Sequence, residues 1–446
     1  MPVSVLFIVS AYVGHFNSVA GLAAALRRKG VEIYIAGSPV HENAARRNGF
    51  SFLSTPYLDI ISTPFGIDRK FTGMNFRGVL KERMKNKEIM ARFPEVVSDI
   101  QRLCRDVRPD ILFFDPFMLF YYPAFYPYCK TIFALSPYPL LDPDRMVPPY
   151  TSGLIEENEN VLFNKTILVW CRQFIRYTLW SLKERWVYGA SLYTMMRRLS
   201  QLCNFPVKGE WAPRYVYFDV HFKSVPELVL FGKEFEFKRK APLRTNVYYI
   251  GPCVDAAREE APIDLHTIDI QDKLILCTLS TISFNDDINI KTRFFDQLIQ
   301  AMRDRPEYTL IAALGEGLRP ADFKDIPGNV YLFITVPQLK ILSKADLFIN
   351  HGGSNSIKEA IHFGVPVIVY PNMADQPGVA ARVESHMIGK RGDFYKDNAS
   401  HIGESIDEVL GNPVYLKNMY LMKARFAAYT QKPAALYKYL KEIGSY

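Results

Sequence analysis

The 446 residues are 49% hydrophobic, 14% aromatic and 22% charged, a chain too long for one ordinary core and too apolar to be disordered. With 54 Lys and Arg against 46 Asp and Glu, the formal charge of +8 suits an anionic ligand or a membrane surface, but it is far from that of a dedicated nucleic-acid binder. The six cysteines, Cys104, Cys129, Cys171, Cys203, Cys253 and Cys277, form no CxxC pair, which excludes a zinc site and a disulfide framework and predicts reduced thiols in a cytosolic protein.

The N-terminal residues have neither the basic region nor the cleavage site of a signal peptide, and no apolar run reaches the roughly 20 residues of a membrane span. Val3 to Val9 is a continuous apolar run, as expected of a strand buried on both faces. The loop from Ser10 to Asn17 precedes a helix carrying Val19, Leu22, Ala23 and Leu26 at helical spacing, with Asn17 or Ser18 predicted to cap it and Gly30 to stop it. A strand over Val31 to Ala36, a helix near 41–48 and a strand near 50–54 continue the alternation of a doubly wound parallel sheet. Residues 109–114 and 131–135 read as further strands. Residues 140–240 break the pattern, and residues 161–200 hold seven basic side chains against the single acid Glu184. A wall of a binding pocket, docking on an anionic membrane and plain core helices with solvated arginines all fit that segment. Asp142-Pro-Asp144 imitates a DxD metal motif but reads as a proline turn, and no metal is expected.

A second α/β set opens at Lys273 to Leu279. It continues with helix 290–303, strands at 308–314 and 330–333, helix 338–344, strand 347–350, helix 355–363 and strand 365–370. The predicted domains are 1–240, a linker 241–270, 271–420, and a C-terminal helix in 421–446 returning to the first domain. The strand Leu347 to Asn350 runs into His351-Gly-Gly-Ser-Asn-Ser356. Glycines that let backbone approach a ligand, side-chain donors at Asn355 and Ser356, and a helix N-terminus together make a pyrophosphate cradle. Glu359, one turn on, is placed to reach ribose hydroxyls. Asp375-Gln376 follows the next strand and suits a polyhydroxyl ligand.

Pro337-Gln338, His351, Gly353, Asn355, Ser356, Glu359, Gly364-Val365-Pro366, Pro371, Asp375 and Gln376 together resemble the nucleotide-sugar signature of the UDP-glycosyltransferase superfamily (glycosyltransferase family 1), and the wider sequence resembles its bacterial natural-product branch. The resemblance implies an α/β fold of the GT-B type, two Rossmann-like domains facing each other across a cleft. It implies a hexosyltransferase that takes a UDP- or TDP-sugar as co-substrate, with no other cofactor. The nucleotide-sugar contacts it implies are Ser280, Thr281, Val336, Gln338, His351, Gly353, Ser354, Asn355, Ser356, Glu359, Asp375 and Gln376. Thr335 stands where the family has a tryptophan stacked on uracil, and Ser280-Thr281 where it has Gly before Ser or Thr. Gln376 favours glucose.

His15 lies beyond the first strand and Asp115 beyond the strand ending at Phe114, both at strand C-termini. A neutral imidazole there can take a proton from an attacking hydroxyl if a carboxylate orients its other nitrogen. The resemblance implies this dyad and inversion at the anomeric carbon. The expected acceptor is a small hydrophobic hydroxyl compound, and the expected oligomer a monomer or weak dimer. A membrane-associated lipid glycosyltransferase and a non-catalytic nucleotide-sugar-binding protein are the two alternatives.

Overall fold

The computed structural model describes residues 3–58, 76–212, 214, 220–260, 263, 268–279, 288–432 and 436–437. Strands β1 (Ser4–Val9), β2 (Glu32–Gly37), β3 (Ser51–Ser54), β4 (Ile111–Phe114), β5 (Thr131–Ser136), β6 (Glu227–Val229) and β7 (Val247–Tyr249) form one sheet in the order β3-β2-β1-β4-β5-β6-β7. Strands β8 (Lys273–Thr278), β9 (Tyr308–Ala313), β10 (Val330–Phe333), β11 (Leu347–Asn350), β12 (Val367–Val369) and β13 (Gly389–Arg391) form a second, ordered β10-β9-β8-β11-β12-β13. Every pairing between these strands is parallel.

Parallel strands covered on both faces must be apolar throughout, and Val5 to Val9 and Ile111 to Phe114 are accordingly buried. Each sheet therefore has two cores, one per face. The helix Phe93–Val107, for instance, turns Val96, Ile100 and Leu103 onto one face of the first sheet. Strand order reverses between β1 and β4 in the first sheet and between β8 and β11 in the second. Ligands of open α/β sheets bind at such switch points, outside the carboxyl ends of the strands. Ile8 pairs with Phe114 and Thr278 with Asn350, so the residues that follow each pair emerge side by side.

Two local expectations change. The first helix begins at Val13 with Tyr12 at its N-cap and no side-chain cap, so Asn17 and Ser18 lie inside it and His15 sits in its first turn, not in a loop. The predicted linker 241–270 contains β7, so the first sheet runs on to Tyr249. Beyond β7 the chain presses against the first helix: a Cβ on Gly21 would lie 1.6 Å from the Cys253 carbonyl oxygen.

The helix Pro413–Ala427 packs on the helix Ser354–Phe363 of the second domain. Its Phe426 ring meets Phe231 edge-on, the Tyr429 hydroxyl accepts from the Lys233 amide at 3.1 Å, and Leu436 enters the core of the first domain. The helix ends at Ala427, short of the span 421–446, and residues 433–435 and 438–446 lie outside the described residues.

Candidate active site

At the first switch point His15 Nδ1 stands 2.7 Å from Asp115 Oδ2. The Asp115 carboxylate is buried and also accepts from the Ser10 hydroxyl at 3.3 Å and the Phe117 amide at 2.9 Å. A carboxylate accepts only, so the contact puts the ring proton on Nδ1 and leaves Nε2 as the basic nitrogen. The Phe117 and Tyr12 rings flank the imidazole, with centroids 4.5 and 5.9 Å away.

The second switch point faces it. The helix Ser354–Phe363 has Gly353 at its N-cap and no side-chain cap, which leaves its first N–H groups for an anion. Gly352 has φ +84°, and a Cβ on Gly353 would meet the His351 ring at 2.5 Å, so the turn excludes larger residues. Burial holds the His351 imidazole down at about 4, against the opposing pull of the Thr278 carbonyl, so the ring is neutral near pH 7. Its Nδ1 has no hydrogen-bond partner among the described residues. Ser354 donates to Asp375 at 2.5 Å, while burial raises the Asp375 carboxyl and the nearby His15 ring lowers it, which places Asp375 within electrostatic reach of the dyad.

Several predicted ligand contacts are engaged with protein instead. Asn355 donates to the Gly14 carbonyl and accepts from the Ser18 hydroxyl, tying the second domain to the turn that carries His15. Glu359 accepts from Arg258 and from Gln338, each at 2.6 Å, and Gln338 accepts from the Thr278 hydroxyl at 2.8 Å. The amide oxygen of Gln376 accepts from the Asn372 and Met373 amides at 2.8 and 3.0 Å. Ser356 is buried in the cradle helix, and Thr335 is exposed. Ser280 and Thr281 lie outside the described residues.

Three residues escaped sequence reasoning. Arg258 and Glu260 belong to the chain after β7, where no motif marks them. Arg258 pairs with Glu359, and Glu260 accepts from the Leu339 and Lys340 amides at 2.9 and 3.1 Å, capping the helix Gln338–Leu342. Lys358 lies buried between Ser356 and Glu359, donates to Ser18 at 3.1 Å, and is held down to about 8 by burial. A lysine on the apolar side of the cradle helix was a signal available in the sequence. Val336 lines a cleft of about 230 Å³ with Phe16, Asn17, Arg258 and Glu260, smaller than the usual 300–1,000 Å³ of a ligand pocket.

The Asp142-Pro-Asp144 pair is spent on structure. Asp142 binds Arg214 at 2.9 Å and Arg244 at 2.7 Å, and Asp144 accepts the amides of Met146, Lys240 and Ala241.

Two Rossmann-like domains with their switch points opposed make a GT-B fold. The solved structure of CalG4, the calicheamicin glycosyltransferase, superposes with a TM-score of 0.64 over 99% of this chain and 98% of its own, at 17% identity. Spinosyn rhamnosyltransferase SpnG complexed with thymidine diphosphate does so with 0.60, over 99% and 100%, at 15% identity. Residues 304–443 match the family described as erythromycin biosynthesis protein CIII-like, C-terminal domain. The NDP-glycosyltransferase YjiC of Bacillus licheniformis is 37% identical over 142 residues, 32% of this chain and 36% of its own length. The match thus spans little more than a third of that relative. Over this stretch the chain is similar to the macrolide-type branch of the UDP-glycosyltransferase superfamily.

Proposed function

We propose that the protein is an inverting, metal-independent glycosyltransferase working in the cytosol, which moves a hexose, glucose on the evidence of Asp375 and Gln376, from a UDP- or TDP-sugar to a hydroxyl of a small hydrophobic natural-product acceptor. The observation that carries this reading is the 2.7 Å His15–Asp115 contact set opposite an uncapped, glycine-led helix N-terminus.

The pyrophosphate lies on the free amides of the Ser354–Phe363 helix and beside the neutral His351 ring, where the positive end of the helix dipole stabilises the charge that grows as the nucleoside diphosphate departs. The acceptor oxygen attacks the anomeric carbon from the His15 side, and the bond from that carbon to the β-phosphate oxygen breaks. His15 Nε2 takes the hydroxyl proton, and Asp115 stabilises the imidazolium. Asp375 and the amide nitrogen of Gln376 are the groups for sugar hydroxyls. The thymidine diphosphate in the SpnG structure and the loss of a stacking ring at Thr335 support a thymidine donor beside the uridine one.

Two measurements test this. A thermal-shift panel of UDP-, TDP- and GDP-sugars is expected to show one pyrimidine donor raising the melting temperature, since a ligand of the folded state stabilises it. No shift with any of them defeats the donor site. His15→Ala is expected to lose about 10²–10⁴ in kcat with donor affinity unchanged, and near wild-type turnover defeats the dyad.

A further inference from the structure

We propose that the helices Phe76–Ala91 and Glu159–Tyr188 form a docking surface for an anionic lipid bilayer. The long helix is turned inside out. Its buried positions include the polar Thr166, Gln173 and Glu184, while Leu168, Ile175, Leu179, Leu182 and Trp186 face outward, Trp186 with 73% of its surface exposed. At about 100° per residue these five project within roughly 40° of one direction, so they form one stripe about five turns long. Amphipathic helices of water-soluble domains place the stripe the other way, and an apolar stripe left outward marks a contact surface.

The second helix repeats the pattern. Phe76, Leu80 and Met84 recur every fourth residue and are exposed, Phe76 at 81%. The two helices pack together, and buried Asn86 donates to the Tyr188 carbonyl at 3.0 Å where they meet.

Charge chooses the occupant. Each helix carries five basic residues against two acids. Arg172 and Arg176 are exposed along one flank of the long stripe, and Arg77, Lys81 and Lys85 are exposed on the shorter helix. Apolar anchors bordered by guanidinium and ammonium groups match the interface of a bilayer with anionic headgroups: the rings and aliphatic chains enter the acyl boundary, and the cations stay among the phosphates. Among the described residues no helix is long and apolar enough to cross a membrane, so the contact is parallel to the surface. The placement is useful. Trp170 of the long helix donates to the Asp144 and Val147 carbonyls at 3.1 and 2.9 Å, in the chain that leaves the carboxyl end of β5, the edge of the sheet that carries His15 and Asp115. A docked molecule holds its acceptor side against the lipid.

The surface rests on the fold and the two helices, not on the donor reading, and the donor panel contains no lipid, so the two fail separately. The test is flotation of the full chain with vesicles of phosphatidylcholine alone and of phosphatidylcholine with phosphatidylglycerol at three to one. Binding to the anionic vesicles is expected to exceed binding to the neutral ones at least tenfold and to fall in 0.5 M salt. Leu179→Glu with Leu182→Glu, both at exposed positions, is expected to abolish flotation with an unchanged melt. Brominated lipid is expected to quench Trp186, read as the difference between wild type and Trp186→Phe, a measurement that needs no weakened variant. Equal binding to both vesicles, no binding, or flotation without Trp186 quenching overturns the proposal. So does a stable dimer that Leu179→Glu with Leu182→Glu splits, which assigns the stripe to a second copy of the chain.

Discussion

The two walls of the cleft are built on the same plan and prepared to different degrees. On the first domain His15 and Asp115 already stand in the arrangement a general base needs, with one ring nitrogen held and the other left over. On the second, the groups that a nucleotide sugar would use are partly closed on themselves: Glu359 on Arg258 and Gln338, and Asn355 on the opposite domain. On the proposed function the base is preorganised, whereas the donor side exchanges internal bonds for ligand bonds. Binding energy from the donor is then spent in part on opening this wall, which ties occupancy of the donor site to the arrangement of the domains.

The sharpest way to break that contrast is to remove the partner of the buried Glu359. Arg258→Met leaves an uncompensated carboxylate and is expected to lower ligand-free stability by about 3–5 kcal/mol. Donor hydroxyls can then bind a freed acceptor, so the melting shift on adding the donor is expected to grow beyond that of wild type. An unchanged melt and an unchanged donor shift would mean that the pair holds nothing closed.

Asn355→Ala removes two hydrogen bonds between the domains and is expected to cost about 1–3 kcal/mol, measured by urea unfolding. A stability equal to wild type would put the interdomain contact outside the folded state in solution. A further effect is on acid stability. Burial holds the neutral His351 at about 4, while an unfolded chain takes up the proton near the ordinary 6.5. Between these values the unfolded chain binds more protons, so stability is full above about 6.5 and declines toward 4. His351→Gln is expected to flatten this decline in a series of melts across that window, and an identical slope would contradict the assignment.

The cradle was legible because its residues follow one another over 39 positions, from Gln338 to Gln376, and the strand–turn–helix geometry follows from glycine and burial alone. The meeting of His15 and Asp115, one hundred residues apart, was legible once both were placed at strand ends in one parallel sheet. What the side chains bond to was not. The Arg258–Glu359 pair spans 101 positions with no spacing rule between them, and Asn355 reads the same whether it faces a phosphate or Gly14. Likewise, the basic count of residues 161–200 was visible in the sequence. Which face of that helix turns inward is decided by the loop it covers, through contacts such as Trp170 with Val147.

The chain passes between the domains twice, once after β7, where Cys253 presses on Gly21, and again near its end, where Tyr429 meets Lys233 and Leu436 enters the first core. One tether would leave the halves free to slide and tumble. Two tethers restrict the relative motion of the halves more than one would, and the buried Arg382–Glu236 pair at 3.0 Å joins them between the crossings. The two crossings stand as the pins of a hinge, and the contacts of Asn355 with Gly14 and Ser18 are the latch across the cleft from them.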